Sequence, residues 1–189
     1  MRKTILNEND YTNYYKALIY GKMDDLLDAA LRSAYGDLCR TIRGFSKHNE
    51  HDYIYNTCMQ VIYDDVTRLF KYKKVNQDMF DQWHKISCER LVEYSTKILT
   101  YGQAQKWINM TLKNLSMLDH RLTESTYEFY HVPIDNFVLK ATKYKLSCAW
   151  SKLNNYEEYL NFQKWFRNYY KGIPLDEEFG MWLQERDKK

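Results

Sequence analysis

The stretch "YGQAQKWINMTLKNL", residues 101–115, decides how this chain is interpreted. A glycine stands second in it, and a helix-length run follows with no proline and few charges. Apolar side chains recur at the three- and four-residue spacing of one helix face, at Ala104, Ile108, Leu112 and Leu115. Lys106 lies off that stripe, so it is either a side chain that extends to water or a reactive amine.

The same helical periodicity continues on both sides of this stretch, and no segment keeps the strict alternation of a strand. Two prolines and six glycines in 189 residues favour long helices with short connections. The pattern predicts an all-α protein of about eight helices in a single compact domain spanning residues 1–189. One helix is expected over residues 22–45, Asn76 is expected to cap another, and Pro174 is expected to open the last.

Composition narrows the class of protein. Hydrophobic residues make up 44% and charged residues 28%, which is ordinary for a globular protein. No apolar run is long enough for a membrane span or a signal peptide, so we expect no membrane contact and a cytoplasmic location. The four cysteines include no CxxC pair, which excludes a standard zinc or iron–sulfur signature. A net charge of +3 permits nucleic-acid binding without requiring it.

One face of the helix predicted after Gly102 carries polar groups suited to a ligand. Lys106, Asn109 and Lys113 are three and four residues apart, and Gln105 lies one turn before Asn109. Amides suit the hydrogen-bonding edge of a base, and an amine suits a phosphate or acts as a nucleophile. This face is therefore a candidate nucleotide-binding surface.

A second segment, "HVPIDNFVLKATKYKL" (residues 131–146), predicts a helix over residues 134–146 that starts beside Pro133. Asp135 lies at its N-terminus, where free N–H groups and the helix dipole favour an ionised carboxylate. Such a residue is either a simple helix cap or a fixed carboxylate that stabilises positive charge nearby.

In this order, "GQAQKWINMTLK" and "VPIDNFVLKATKYKL" resemble the catalytic core of the helix-hairpin-helix DNA glycosylase superfamily. That family places a lysine on the helix after the hairpin and an aspartate in a later Pro-x-Asp motif. The resemblance implies a glycosylase-like core over residues 76–150, with Lys106 and Asp135 as the catalytic residues. Their separation is closest to that of the archaeal-type 8-oxoguanine DNA glycosylases. The hairpin is degenerate, because only Gly102 stands where the family carries several glycines.

The resemblance implies an enzyme that flips a modified or damaged base out of DNA and cleaves its N-glycosidic bond, with or without a Schiff-base lyase step. The base would be 8-oxoguanine-like in DNA repair, or a hypermodified phage base in antiviral defence. A monomer acting on double-stranded DNA is expected, without a cofactor or metal. The residues expected to bind the base are Gln103, Gln105, Trp107, Asn109, His131 and Phe137, and those expected to contact the DNA backbone are Gly102 and Lys113.

Two other interpretations stay open at the level of sequence. The chain could be a non-catalytic helical module that binds nucleic acid or a partner protein. It could also be a purely structural domain in which Lys106 lies on the surface. That last interpretation is favoured if Lys106 and Asp135 lie far apart or point to different faces.

Overall fold

The computed structural model describes residues 8–186, which fold into eight α-helices and the segments that connect them. No strand occurs in that range, so the prediction of an all-α fold with about eight helices is confirmed. None of these helices is apolar over a length that could cross a membrane. The helices are α1 (Glu8–Tyr20), α2 (Leu26–Leu38), α3 (His51–Leu69), α4 (Gln77–Tyr94), α5 (Tyr101–Leu118), α6 (Asn136–Thr142), α7 (Tyr156–Tyr170) and α8 (Pro174–Arg186).

Helix α5 runs through the centre of the fold. Every residue in it is buried except Met110 and Met117, whereas the sequence pattern predicted a helix with only one buried face. Helix α2, which ends at Leu38 rather than at the predicted residue 45, packs along α5 more extensively than any other helix does. Because a helix enclosed on all sides has no access to water, its polar side chains must find partners within the protein.

Side-chain caps set where the helices begin. Asn76 accepts a hydrogen bond from Met79 N, which confirms it as the N-cap of α4. Thr100 and Gln103 form a capping box at the start of α5, in which each side chain binds the backbone N–H of the other residue. Helix α8 begins at Pro174, as predicted, because the first turn of a helix needs no N–H donor.

Helix α6 is shorter than the periodicity predicts, since it does not extend over residues 134–146. Asp135 accepts a hydrogen bond from Val138 N and caps the helix, so Pro133 lies before the helix in an extended segment. Lys143 ends the helix in the left-handed backbone region, with a φ of 56°. The interpretation of Asp135 as a cap is therefore correct, and it leaves the other carboxylate oxygen free for a second contact.

Gly102 allows the chain after α6 to approach α5 closely. Its N–H donates to Leu153 O at 2.7 Å. A Cβ at this position would lie 1.8 Å from Trp150 O, a separation that no side chain can adopt. The glycine is required here by lack of space, and it lets the 3₁₀ turn Trp150–Lys152 pack against the start of α5.

Replacing Gly102 with alanine should destabilise the protein, because the added methyl must displace the backbone at Trp150. Overpacking of this kind costs about 1–3 kcal/mol. Gly36 is the matched control, since it lies within α2 with open space around its would-be Cβ. Gly36→Ala should stabilise the protein by about 0.5–1 kcal/mol. Urea-induced unfolding measures both changes, and an unchanged free energy of unfolding for Gly102→Ala would contradict the close approach.

Candidate active site

Lys106 and Asp135 are in direct contact. Lys106 Nζ donates a hydrogen bond to Asp135 Oδ2 at 2.6 Å, while Asp135 Oδ1 accepts from Val138 N at 2.9 Å. The Lys106 side chain is 9% exposed and that of Asp135 is 23% exposed. The lysine is therefore not a side chain that extends to water, and the wide separation that would favour a purely structural role is not observed.

Two glutamines hold the extended segment that leads to Asp135. Gln163 on α7 accepts from Val132 N at 3.0 Å and donates to Val132 O at 2.8 Å. Gln105 on α5 accepts from Ile134 N at 3.2 Å and donates to Ile134 O at 3.0 Å. Each side-chain amide acts as the donor and acceptor that a neighbouring strand would otherwise supply. The carboxylate that follows this segment is therefore placed by backbone contacts on both sides.

A buried chain of hydrogen bonds anchors the start of the same segment. His131 Nε2 lies 2.8 Å from Asp81 Oδ1, and His131 Nδ1 lies 2.8 Å from the Tyr159 hydroxyl. Asn109 donates to that hydroxyl at 2.9 Å, and His84 Nε2 lies 3.3 Å from it. All these contacts are satisfied when both histidines are neutral with the proton on Nε2, and when Tyr159 donates to His131.

Burial and hydrogen bonding decide the charges in this chain. Burial lowers the pKa of both His84 and His131, although the Asp81 carboxylate opposes the effect. Burial alone would raise the pKa of Asp81, but hydrogen bonds from His131 and Gln77 and the charge of Arg167 outweigh it and lower that pKa to about 2. Near neutral pH the chain therefore contains an ionised carboxylate beside two uncharged imidazoles.

A second ion pair lies beside the first and is more deeply buried. Lys113, two turns after Lys106 on α5, binds Glu178 on α8. Burial raises the pKa of Glu178, and the Asp135 carboxylate adds to that rise, while the charges of Lys113 and Lys106 oppose it. This mutual influence places the two pairs in one group, which we call the charged cluster. Its two lysines balance its two carboxylates.

Aromatic rings border the charged cluster. Lys106 Nζ lies 5.1 Å from the centre of the Trp150 ring, within the range of a cation–π contact. Phe137, in the first turn of α6, packs against Trp182 on α8 with ring centres 5.2 Å apart. Trp182 is 50% exposed, so an aromatic surface faces solvent directly beside Asp135 and its helix.

Most of the residues expected to bind a base are enclosed in the core. Trp107 is 1% exposed and donates to Leu31 O, and Gln103 is buried in the cap of α5, where it donates to Thr41 O. The remaining buried candidates, Gln105, Asn109 and His131, form hydrogen bonds within the protein as described above, and only Asn109 Oδ1 lacks a partner among their side-chain polar atoms. Among the six candidates, Phe137 alone is partly exposed beside the charged cluster.

The turn between α4 and α5 offers no free amide to a DNA phosphate. The N–H groups of residues 95–102 all donate to acceptors within the protein. Thr96 and Lys97 stand in the left-handed region at the tip of this turn. Gly102 is buried with its N–H occupied, and Lys113 is buried in an ion pair. The structure therefore places Gly102 and Lys113, the two residues expected to contact the DNA backbone, in the interior.

Three residues of the site were missed by sequence reasoning, because they lie outside the motif that suggested it. Glu178 and Trp182 are one turn apart on α8, and Trp150 lies in a 3₁₀ turn. Glu178 and Trp182 are four residues apart in "PLDEEFGMWLQE" (residues 174–185), and this spacing indicates that they share one face of the helix. Nothing in the sequence indicates that this face packs against α5 and α6.

Comparisons with protein-family models, curated proteins and solved structures find no significant match to this chain. The candidate site is therefore defined by the sequence and the structure of this chain. The sequence pattern and the observed contact both single out Lys106 and Asp135, and the structure adds the residues on α8.

The free energy of unfolding should fall as the pH is lowered below about 6.5, the ordinary pKa of histidine. The pKa values of His84 and His131 are lowered in the folded protein. On the acid side of 6.5 the unfolded chain therefore binds protons that the folded chain excludes, which favours unfolding. Urea titrations at about pH 7.5 and about pH 5.5 measure the decline.

His131→Gln should reduce this pH dependence, because it removes one of the two buried imidazoles. His48, an exposed histidine, is the matched control, and His48→Gln should leave the pH dependence unchanged. A wild-type protein whose free energy of unfolding is the same at both pH values would contradict the assignment of buried neutral histidines.

Proposed function

We propose that this chain is a DNA N-glycosylase that excises a modified or damaged base and can form a Schiff base with the sugar. The observation that carries the proposal is the contact between Lys106 and Asp135, whose carboxylate remains accessible beside an exposed aromatic surface. The pair formed by Lys113 and Glu178 is enclosed, as expected of a structural ion pair. The resemblance to helix-hairpin-helix glycosylases, drawn from the same lysine and aspartate, supports the same assignment.

Lys106 acts as the nucleophile in this proposal. Its Nζ forms a bond to C1′ of the deoxyribose while the bond from C1′ to the base breaks, and the base leaves with the bonding electrons and takes up a proton. The amine must lose a proton before it attacks, and Asp135 Oδ2 at 2.6 Å is placed to accept it. Opening of the sugar ring then gives an imine between Nζ and C1′.

Asp135 has a second role as the charge that stabilises the sugar, once the proton that it takes from Lys106 has passed to the departing base. The transition state for cleavage of a glycosidic bond carries positive charge at C1′, which a neighbouring carboxylate stabilises. This role requires a carboxylate in a constant position. The cap on α6 and the glutamine contacts on both sides of Pro133 supply that constraint.

An aromatic surface beside the catalytic pair suits an extruded base. The half-exposed ring of Trp182, supported by Phe137, is a surface on which a planar base can stack. Phe137 is itself partly exposed, so the aromatic surface extends from α8 to the helix that Asp135 caps. The resemblance makes 8-oxoguanine the first substrate to test, followed by hypermodified phage bases.

Borohydride trapping on duplexes with oxidised, alkylated, deaminated and glucosylated bases tests the activity. The wild-type protein should release at least one of these bases and become covalently joined to that duplex. Lys106→Gln should abolish the covalent product, because no amine remains to form the imine. Asp135→Asn should slow base release by about 10²–10⁴-fold, the usual contribution of a positioned acid or base.

Asparagine is chosen at position 135 because its side-chain oxygen can still cap α6, so stability should be retained while the charge is lost. Lys74→Gln controls for the loss of a lysine, since Lys74 is exposed and lies outside the charged cluster. Full base release by both site variants would show that the site is wrong. No covalent product and no abasic site on any duplex would show that the activity is wrong.

Trp182→Ala should weaken substrate binding, because stacking of a base on an aromatic ring contributes about 1–3 kcal/mol. We expect KM for the preferred duplex to rise about 5- to 150-fold, the factor that corresponds to this energy. Leu183 is the matched control on the same helix, being 64% exposed. Leu183→Ala should leave KM unchanged, and an equal rise in both variants would contradict a stacking role for Trp182.

A further inference from the structure

The α4–α5 turn has no amide free to hold DNA, yet a base-excising site needs a grip on the nucleic acid backbone. We propose that residues 136–156, which we call the basic segment, form the surface that binds DNA phosphates beside the charged cluster. The inference rests on the proposed function and deepens it, because it names the part of the partner that this surface recognises.

The basic segment contains four lysines and no aspartate or glutamate. All four are exposed, and none forms an ion pair with a side chain that the structure describes; they are Lys140, Lys143, Lys145 and Lys152. The lysines of the charged cluster, by contrast, are each paired with a carboxylate. Exposed like charges without counter-charges attract a polyanion, and a row of phosphates satisfies them by releasing its own counterions.

An aromatic side chain between the lysines anchors this segment to the fold. The ring of Tyr144 packs against Phe162 and Trp165, with centres 5.0 Å and 4.8 Å apart. Lys143 and Lys145 flank Tyr144 and are both exposed. The packed Tyr144 ring therefore fixes the chain between two exposed lysines.

A further contact anchors the segment after these lysines. Ser147 donates from its backbone N and from its Oγ to the two carboxylate oxygens of Glu158, at 2.5 Å and 2.6 Å. This carboxylate is therefore engaged with the segment itself. The lysines are carried by a loop with defined anchor points, so their charges are held in place before DNA binds.

Both ends of the basic segment reach the candidate site. The segment begins directly after Asp135, with helix α6. Near its other end, the Trp150 ring lies 5.1 Å from Lys106 Nζ, and Leu153 O accepts from Gly102 N. An extruded nucleotide stays bonded to a phosphate on each side, so a site that receives C1′ must also accommodate the neighbouring phosphates. The four exposed lysines lie on the segment that joins these two points of contact with the site.

The sequence "KYKK" (residues 71–74) is a matched basic stretch elsewhere in the chain. Its three lysines, Lys71, Lys73 and Lys74, are exposed in the connection between α3 and α4. Neither of those helices contributes a residue to the charged cluster. Replacing these three lysines changes the net charge by the same amount as replacing three lysines of the basic segment, but it leaves the basic segment itself unchanged.

The test measures the affinity of the full chain for a duplex with a tetrahydrofuran abasic analogue at several salt concentrations. In K140Q/K143Q/K145Q, the slope of log affinity against log salt should become shallower by about 0.9 for each phosphate that the protein no longer neutralises. In K71Q/K73Q/K74Q the slope should stay at the wild-type value. Equal flattening in both variants, or no flattening in the first, overturns the proposal.

Borohydride trapping in the same proteins separates this inference from the proposed activity. If the salt slope flattens only in K140Q/K143Q/K145Q and the wild type gives no covalent product, the basic segment binds phosphates but the protein is not a glycosylase that forms a Schiff base. If the wild type gives the covalent product and the salt slopes of the two triple variants are equal, the glycosylase is supported and the role of the basic segment is contradicted. Wild-type binding to phosphatidylserine vesicles, but not to the duplex, would overturn DNA as the partner.

Discussion

Helix α5 can be enclosed on every side because nearly every polar side chain that it carries in the interior meets a partner; among the buried side-chain atoms of α5, the Tyr101 hydroxyl and Asn109 Oδ1 are the exceptions. A buried polar group without a hydrogen bond costs about 1–3 kcal/mol, so several such groups on one helix would exceed the stability of a small domain. The partners come from widely separated parts of the chain, namely Thr41, Ile134, Asp135, Tyr159 and Glu178. The helix therefore constrains where the chain before α3, the extended segment, α7 and α8 can lie.

The two lysines of α5 satisfy this requirement at different depths, and the difference gives them different uses. Glu178 and Lys113 are both enclosed, so separating them would leave an uncompensated charge in the interior. Lys106 is paired with a carboxylate that is partly exposed, so a substrate can approach that pair without the core being opened. The position of Asp135 is in turn secured by the glutamine contacts and the buried histidine chain. The proposed chemistry thus uses the accessible pair and leaves the enclosed pair as its support.

Recognition and chemistry are assigned to different kinds of structure in this protein. The groups proposed to react lie on helix α5 and at the start of α6, where backbone hydrogen bonds hold them. The exposed lysines lie mainly on the irregular chain that follows α6, which is anchored by packed rings. Phosphate contacts tolerate small displacements because charge attraction is not strongly directional, whereas bond formation at C1′ does not. A loop is therefore sufficient for the first task, and a buried helix is suited to the second.

Sequence by itself determined the helical class, the N-cap at Asn76, the start of α8 at Pro174, and the order of a lysine and a helix-capping aspartate. These features depend on interactions within a few residues, which spacing reveals. Gln105 and Asn109 have the sequence pattern of a ligand-binding face, yet their side chains bind the protein itself. Sequence reasoning also missed Glu178 and Trp182. Only the tertiary structure decided these points, because whether a polar side chain meets water, a ligand or the backbone depends on segments far away in the chain.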